Sequence, residues 1–238
     1  MKLALLGYGR MGKAIESTAI SRGHTIAAIV DPKGQKGALE AADVAINFSV
    51  PNAAVDNIKS ALACPIPVVC GTTGWLDQMK TVEAFCLEKN SAFLYASNFS
   101  VGVNLFFALN KKLASLMRHH PEYEVAIEET HHVHKLDAPS GTAISLAQDI
   151  INQTDYQSWV TEKIPTNSAQ IPIHAIRKGE VPGTHTIYYQ SEIDKLSIRH
   201  QAHNRKGFAL GAVLAAEWIL GKKGIFSMAD VLNLSENA

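Results

Sequence analysis

The stretch GYGRMG, Gly7 to Gly12, stands directly after the apolar run KLALL and directly before the helix-forming run KAIESTAISRG. A strand, a glycine-rich turn and a helix in that order restrict the start of the chain to few architectures. Gly7 permits a tight turn, and Gly9 lets the backbone approach a pyrophosphate. The open N–H groups of the helix start then supply donors and a partial positive charge.

The next strand, TIAAIV, ends at Asp31. A dinucleotide fold commonly places an acid there to accept hydrogen bonds from the adenosine ribose. Lys33, two residues on, is either a partner for a 2′-phosphate or a solvated loop cation, so DPKG leaves NADH and NADPH both open. Further apolar strands, DVAINFSV, PIPVVCG and AFLYASN, alternate with the helical patterns NAAVDNIKSALA and WLDQMKTVEAFCLEKN. This alternation predicts a parallel, doubly wound sheet with its ligand beyond the carboxyl ends of the strands. Three of those ends, Phe48 to Pro51, Gly71 to Gly74 and Ala96 to Gly102, are rich in small and hydroxyl residues suited to wrapping the nicotinamide half of a cofactor.

With 238 residues, 47% hydrophobic and 18% charged, the chain is long enough for a sizeable core in one large domain or two small ones. Twenty-two basic residues balance twenty-two acidic ones, which removes any net field for nucleic acid. Cys64, Cys70 and Cys86 form no CxxC pair and no ligand spacing, which predicts a reducing cytoplasm. The first apolar run stops at Gly7, too short for a signal peptide, and no stretch approaches the roughly 20 apolar residues of a membrane span.

After ASNFSVGVN the pattern changes. A helical run, NLFFALNKKLASLM, leads to EYEVAIEETHH, in which Tyr123, Val125 and Ile127 share one face of a strand. The two-residue period carries that face on to Glu129 and His131, sending a carboxylate and an imidazole toward a buried side. The pairing orients the imidazole or raises its pKa. His131, His132 and His134 also invite a zinc reading. Adjacent histidines on a strand point to opposite faces, no cysteine is near and Lys135 would bring a cation beside the ion, so no metal is expected. A solvated basic loop is the other alternative. Downstream, DAPSGTAISLAQDI reads as a loop entering a helix, with Pro139 at the entry and Ser140 or its neighbour as cap. Free N–H groups at Ser140, Gly141 and Thr142 near Lys135 make an anion receptor there. Proton chemistry beside that receptor is the favoured reading.

EETHHVHKLDAPSGTA closely resembles the signature of the 4-hydroxy-tetrahydrodipicolinate reductase family, the dihydrodipicolinate reductases of lysine biosynthesis. GYGRMGKAI, GTTG, ASNFSVGVN, RKGEVPGTHTI and HNRKGFALGAVLAAEWI fall where that family has its motifs. The resemblance implies an α/β fold, in which a Rossmann-type dinucleotide-binding domain is formed by residues 1–100 and completed by residues 207–238. An inserted α+β domain, residues 101–206, binds substrate and forms the core of a homotetramer. THTIYYQ and DKLSIRHQA suit paired strands there, and exposed sheet edges favour oligomerisation. It also implies reduction of 4-hydroxy-tetrahydrodipicolinate, a cyclic dicarboxylate, to tetrahydrodipicolinate with loss of water in the diaminopimelate route, with NADH, NADPH or both as cofactor. No nucleic-acid or membrane partner is expected.

The family's catalytic residues map onto His131, as proton donor or acceptor, and Lys135, as proton donor. Substrate-binding positions map onto His132, Gly141 and Thr142, with Ser140 beside them. Cofactor contacts map onto Gly7, Tyr8, Gly9, Arg10, Met11, Gly12, Asp31, Lys33, Gly71, Thr72, Thr73, Ala96, Ser97, Asn98 and Phe99. Two departures bear on the cofactor. The glycine turn is one residue shorter than the family's usual G-x-x-G-x-M-G, and Pro32 and Lys33 stand where an arginine often follows the acid. An amino-acid or homoserine-type dehydrogenase on the same architecture would explain the first domain equally well but gives no reason for HHVHK beside SGT. A catalytically silent dinucleotide-sensing module that assembles partners through its sheet predicts cofactor binding without turnover.

Overall fold

The computed structural model describes residues 1–161, 167–204 and 206–234. Arg205, inside one of the family motifs, and residues 162–166 and 235–238 lie outside the described residues. The chain divides into two compact units, Met1–Val101 with Lys206–Ala238, and Gly102–Arg205.

In chain order the elements of the first unit are β1 (Lys2–Leu6), α1 (Arg10–Ser21), β2 (Thr25–Asp31), β3 (Gly34–Gly37), β4 (Val44–Asn47), α2 (Pro51–Ala63), β5 (Val68–Cys70), α3 (Met79–Glu88) and β6 (Ala92–Tyr95). Then come α4 (Val101–Met117), β7 (Glu124–His131), α5 (Gly141–Ile151), β8 (Ser158–Thr161), β9 (Gln170–Arg177), β10 (Thr184–Gln190) and β11 (Lys195–Gln201). The chain returns to the first unit with α6 (Lys206–Ile219), β12 (Gly224–Phe226) and α7 (Met228–Val231).

The first sheet runs β12-β6-β5-β4-β1-β2-β3, parallel except where β3 turns back along β2. Side-chain alternation along β1 explains the double winding. Ala4 and Leu6 pack with Ile58 and Leu62 of α2 and Val82 of α3, while Leu3 and Leu5 pack with Ile15 of α1 and Val213 of α6. Helices therefore cover both faces, and strands buried on both sides read as continuous apolar runs. Directly after Asp31 the chain turns back as a hairpin to β3. Its GQKG sequence is exposed throughout, so no apolar pattern announced it.

α6 fits close because its buried face is small, with Ala209, Ala212 and Ala216 among its members. A Cβ on Gly211 would lie 1.6 Å from the carbonyl oxygen of Phe99, so only glycine permits that approach.

The second unit is α+β and is inserted between β6 and α6. Its sheet runs β11-β10-β7-β9-β8, antiparallel on the β10 side of β7 and parallel on the β9 side. Val125 and Ile127 of β7 pack with Ile173, Ile187 and the α5 residues Leu146 and Ile150 in one core. Among the described residues no helix is long and apolar enough to cross a membrane.

Candidate active site

In the first unit, the ends of β1, β4, β5 and β6 are laced together. Gly7 N–H donates to Val30 O, Phe48 N–H to Leu6 O, Gly71 N–H to Asn47 O and Ala96 N–H to Cys70 O, at 2.7, 2.9, 2.9 and 3.2 Å. These loops form one rim beyond the carboxyl ends of the parallel strands, on either side of β1. The chain moves from β1 to β2 on one side and pairs β1 with β4 on the other, so this rim is the topological switch point.

The glycine turn is a cradle. Gly7 adopts φ +99°, and a Cβ on it would lie 2.3 Å from Phe48 O; one on Gly12 would lie 2.4 Å from Gly7 O. Around Gly9 a Cβ would meet nothing within 4 Å. Gly9 precedes α1 without a side-chain cap, and no acid stands in the first turn. The positive end of the helix is therefore not neutralised by the chain, and its N–H groups suit a pyrophosphate. These residues fit a dinucleotide.

The other predicted cofactor residues divide by exposure. Arg10, Lys33, Thr73 and Ser97 are exposed, and Tyr8, Met11, Asp31, Gly71, Ala96 and Asn98 are half-buried. Tyr8 donates its hydroxyl to Glu16. Asp31 Oδ1 accepts the Lys33 N–H at 2.8 Å, so one carboxylate oxygen is already occupied. Gly12, Thr72 and Phe99 are buried. Thr72 Oγ1 accepts the Ser49 N–H at 2.9 Å, and Phe99 packs on Phe48 at 5.5 Å between ring centres. Those three shape the rim from behind.

In the second unit, β7 carries Glu129 and His131 on the same buried face as Val125 and Ile127. Register supplies their company. Antiparallel β10 sets His185 opposite Glu129, and parallel β9 sets Arg177 opposite His131. Glu129, fully buried, has one oxygen well served. Its Oε1 accepts the Ser140 N–H at 3.0 Å and lies 3.3 Å from both terminal nitrogens of Arg177. Oε2 lies 3.4 Å from His131 Nδ1 and 3.5 Å from His185 Nε2. His185 Nε2 is also 3.2 Å from Ser140 Oγ. Arg177 ties this cluster to the loop after β7 by donating to the carbonyls of Lys135 and Asp137.

The electrostatics reverse one expectation. Burial, offset only in part by attraction to Glu129 and reinforced by the cations Lys135 and Arg177, pushes His131 down to about 4. The imidazole is thus neutral at neutral pH, rather than raised or poised there. For Glu129, burial favours the neutral acid, but the nearness of His185, hydrogen bonding from Ser140 and the pull of His131 outweigh it and hold the carboxyl down at about 2.

A second expectation narrows. Ser140 caps α5, its Oγ accepting the Ala143 N–H at 3.2 Å, while its own N–H serves Glu129. Ser140 therefore has no N–H to offer an anion. Gly141 and Thr142 keep theirs, with Gly141 exposed and no acid in the first turn of α5. Lys135 Nζ lies 2.8 and 2.9 Å from the two carboxylate oxygens of Asp137, a partner two positions on within the same motif. His132 is half-buried just beyond the end of β7, and exposed His134 reaches Glu180 at 3.3 Å. The histidines of the motif do not converge. Among the described residues, the ligand-type atoms that do, within 4.8 Å of one another, belong to Glu129, His131 and His185. Arg177 already supplies positive charge to that carboxylate.

Family models for the two ends of dihydrodipicolinate reductase divide the chain between them, the N-terminus matching residues 1–99 and the C-terminus residues 102–232. The chain belongs to the dihydrodipicolinate reductase family. A 4-hydroxy-tetrahydrodipicolinate reductase of Christiangramia forsetii is 52% identical to this reductase over 236 residues, 98% of either chain. Another, of Akkermansia muciniphila, is 38% identical over 240 residues, 96% of either chain. In structure the reductase is similar to the dipicolinate-bound dihydrodipicolinate reductase from Paenisporosarcina sp. TG-14, with a TM-score of 0.77 and 24% identity over 98% of this chain and 99% of that one. That last likeness concerns the fold, a Rossmann-type sheet with an inserted α+β unit. The reductase is an oxidoreductase, and its first unit is the Rossmann-type half that takes a nicotinamide cofactor.

Proposed function

We propose that the chain reduces 4-hydroxy-tetrahydrodipicolinate to tetrahydrodipicolinate, with loss of water and with NADH or NADPH as reductant, in the diaminopimelate route to lysine. The observation that carries the site reading is local to the second unit. A buried neutral imidazole, a lysine and a helix start with two unengaged N–H groups lie within His131 to Thr142.

A bound nicotinamide would supply hydride to one carbon of the conjugated imine that forms when the substrate loses its hydroxyl and a neighbouring C–H proton as water, and the chain's own residues handle the dicarboxylate and the protons. Gly141 and Thr142 offer backbone N–H groups at the positive end of α5 to one carboxylate. Ser140 contributes by capping that helix and fixing its start. His132 is the further substrate contact. Lys135, an ammonium with three donors, gives the proton to the neighbouring carbon and stabilises charge developing on the imine and carboxylates. His131 serves as proton acceptor, because burial keeps it unprotonated at working pH.

Residues 1–100 and 207–238 form the dinucleotide-binding domain in this reading, and residues 101–206 the substrate-binding one. Gly7, Gly9 and Arg10 meet the pyrophosphate, with Tyr8, Met11 and Gly12 shaping the turn. Asp31 retains one oxygen for a ribose hydroxyl, and exposed Lys33 can approach a 2′-phosphate, which supports use of both cofactors. Gly71 to Thr73 and Ala96 to Phe99 complete the rim. Steady-state kinetics with each cofactor tests this, and a preference above about a hundredfold defeats dual use.

The reductase assembles as a homotetramer through the second unit, whose edge strand β11 leaves Leu196 exposed. Light scattering that returned a monomer would overturn this. Free cysteines, two of them buried, support a cytoplasmic location, and balanced charge supports the absence of nucleic-acid or membrane partners. The decisive assay couples freshly generated 4-hydroxy-tetrahydrodipicolinate to the reductase. NAD(P)H oxidation dependent on that substrate is expected, and its failure removes the proposed function.

A further inference from the structure

Two of the most buried polar side chains of the second unit, Glu129 at 0% and His185 at 5% exposure, have no assigned part in the handling of substrate. One oxygen of the Glu129 carboxylate, Oε2, is faced by both His131 and His185. A carboxylate offers about four lone-pair sites, and Ser140 and Arg177 serve Oε1 alone. Oε2 and His131 Nδ1 are buried, and neither has a hydrogen bond of good geometry, although they lie 3.4 Å apart. Leaving both buried without a partner is costly, and each is the other's natural complement once Nδ1 carries the proton.

His185 Nε2 faces the same oxygen from 3.5 Å. Both contacts are longer than an ordinary charge-assisted hydrogen bond of about 2.7–2.9 Å, as befits one oxygen shared by two rings. The rings themselves meet edge to face, 5.0 Å between centres.

The opposite nitrogen of His131 has different surroundings. A Cβ on Gly183 would stand 3.1 Å from Nε2, tighter than ordinary contact, so the glycine keeps that nitrogen clear. A neutral imidazole has one N–H and one lone pair, and the partner of one nitrogen decides which is which.

We propose that Glu129, its free oxygen shared with His185, is a positioning residue that holds His131 in the Nδ1–H form, so that the reaction's proton passes through Nε2 on the side cleared by Gly183. The inference rests on the reading of His131 as a proton-handling group. Its chemical content is a tautomer and a nitrogen. The lone pair on Nε2 accepts the C–H proton that the substrate gives up as water is lost, the resulting imidazolium is stabilised by the Glu129 carboxylate through Nδ1–H, and delivery of that proton from Nε2 to the departing hydroxyl restores the starting form.

The test is histidine ¹⁵N NMR on the full-length protein, with turnover and cofactor affinity measured in parallel on Glu129→Gln, Glu129→Asp, His185→Gln and His131→Gln. The His131 signals are identified by their disappearance in His131→Gln. In the unaltered protein, Nδ1 is expected to show a protonated shift and Nε2 an unprotonated one. The carboxamide of Glu129→Gln can present its NH₂ to Nδ1 and reverse that pattern, with turnover falling by about 10²-fold or more and cofactor affinity kept. Glu129→Asp should restore the pattern and part of the rate, and His185→Gln should keep the tautomer while lowering turnover less than Glu129→Gln does.

A protonated Nε2 in the unaltered protein overturns the proposal, and that spectrum decides even if Glu129→Gln fails to fold. Unchanged tautomer and turnover in Glu129→Gln overturn it as well. Full turnover in His131→Gln instead removes the reading on which the proposal rests, so the two failures are distinguishable.

Discussion

Arg177 stands opposite His131 in the parallel pairing of β9 with β7, and its guanidinium lies 3.3 Å from the Glu129 carboxylate two residues back along β7. It is the counter-charge for a fully buried acid. Replacing it with Met leaves that acid uncompensated, an effect of roughly 3 kcal/mol in unfolding free energy, at the low end for buried pairs because Arg177 is partly exposed. Denaturant titration checks this, and the double variant Arg177→Met/Glu129→Gln should recover part of the loss. Equal losses in the single and double variants would show that packing, not charge, is at stake.

Acid should destabilise the protein in two windows. An unfolded His131 takes up a proton near 6.5 while the native one resists until about 4, so lowering the pH between those values favours the unfolded chain. Glu129 acts lower, because its unfolded carboxyl protonates near 4.5 and its native one near 2. Melting temperature against pH should therefore begin to fall below about 6.5, and His131→Gln should flatten the upper window only.

His131→Gln and Lys135→Ala should each keep cofactor affinity and lose turnover by about 10²-fold or more. Isothermal titration for binding and initial rates for turnover separate the two. Asp137→Asn is the control for the exposed ion pair on Lys135, and its effect on stability should stay within about 1 kcal/mol.

The glycine turn offers a way to separate folding from cofactor binding. Gly9→Ala meets open space, so melting temperature should hardly move while cofactor affinity falls by about tenfold or more as the methyl blocks close approach to the pyrophosphate. Gly7→Ala places its Cβ 2.3 Å from backbone at a positive φ, so it should lower both. A Gly9→Ala protein that binds cofactor normally would argue against this turn as the pyrophosphate site.

Gly211→Ala sets two effects against each other. Alanine favours an isolated helix by about 1 kcal/mol, but the added carbon falls 1.6 Å from Phe99 O, a backbone atom that cannot step aside cheaply. Overpacking should win, with a net destabilisation of about 1–3 kcal/mol in chemical denaturation.

The legible parts of this chain were those written in local periodicity. Continuous apolar runs marked β1, β4, β5 and β6, because strands covered on both faces need no polar side. Two-residue alternation placed Glu129 and His131 on one buried face, and the serine ahead of the α5 residues announced the cap. β3 and β12 escaped because one is four exposed polar or glycine residues and the other only three residues long.

By itself, then, the sequence determined the parallel strands and the helices between them in the first unit, the glycine turn and the candidate stretch His131 to Thr142, since all of these depend on residues close along the chain. Only the tertiary structure decided the state of His131. Arg177 and His185 lie more than forty positions beyond it, and strand register alone brings them to Glu129, one on each neighbouring strand. Burial together with that ring of charges lowered the pKa of an imidazole that its carboxylate partner alone would orient or raise, and it diverted the Ser140 N–H from an incoming anion to a buried carboxylate. Desolvation and hydrogen-bond partners are properties of the assembled interior, and no short stretch of sequence carries them.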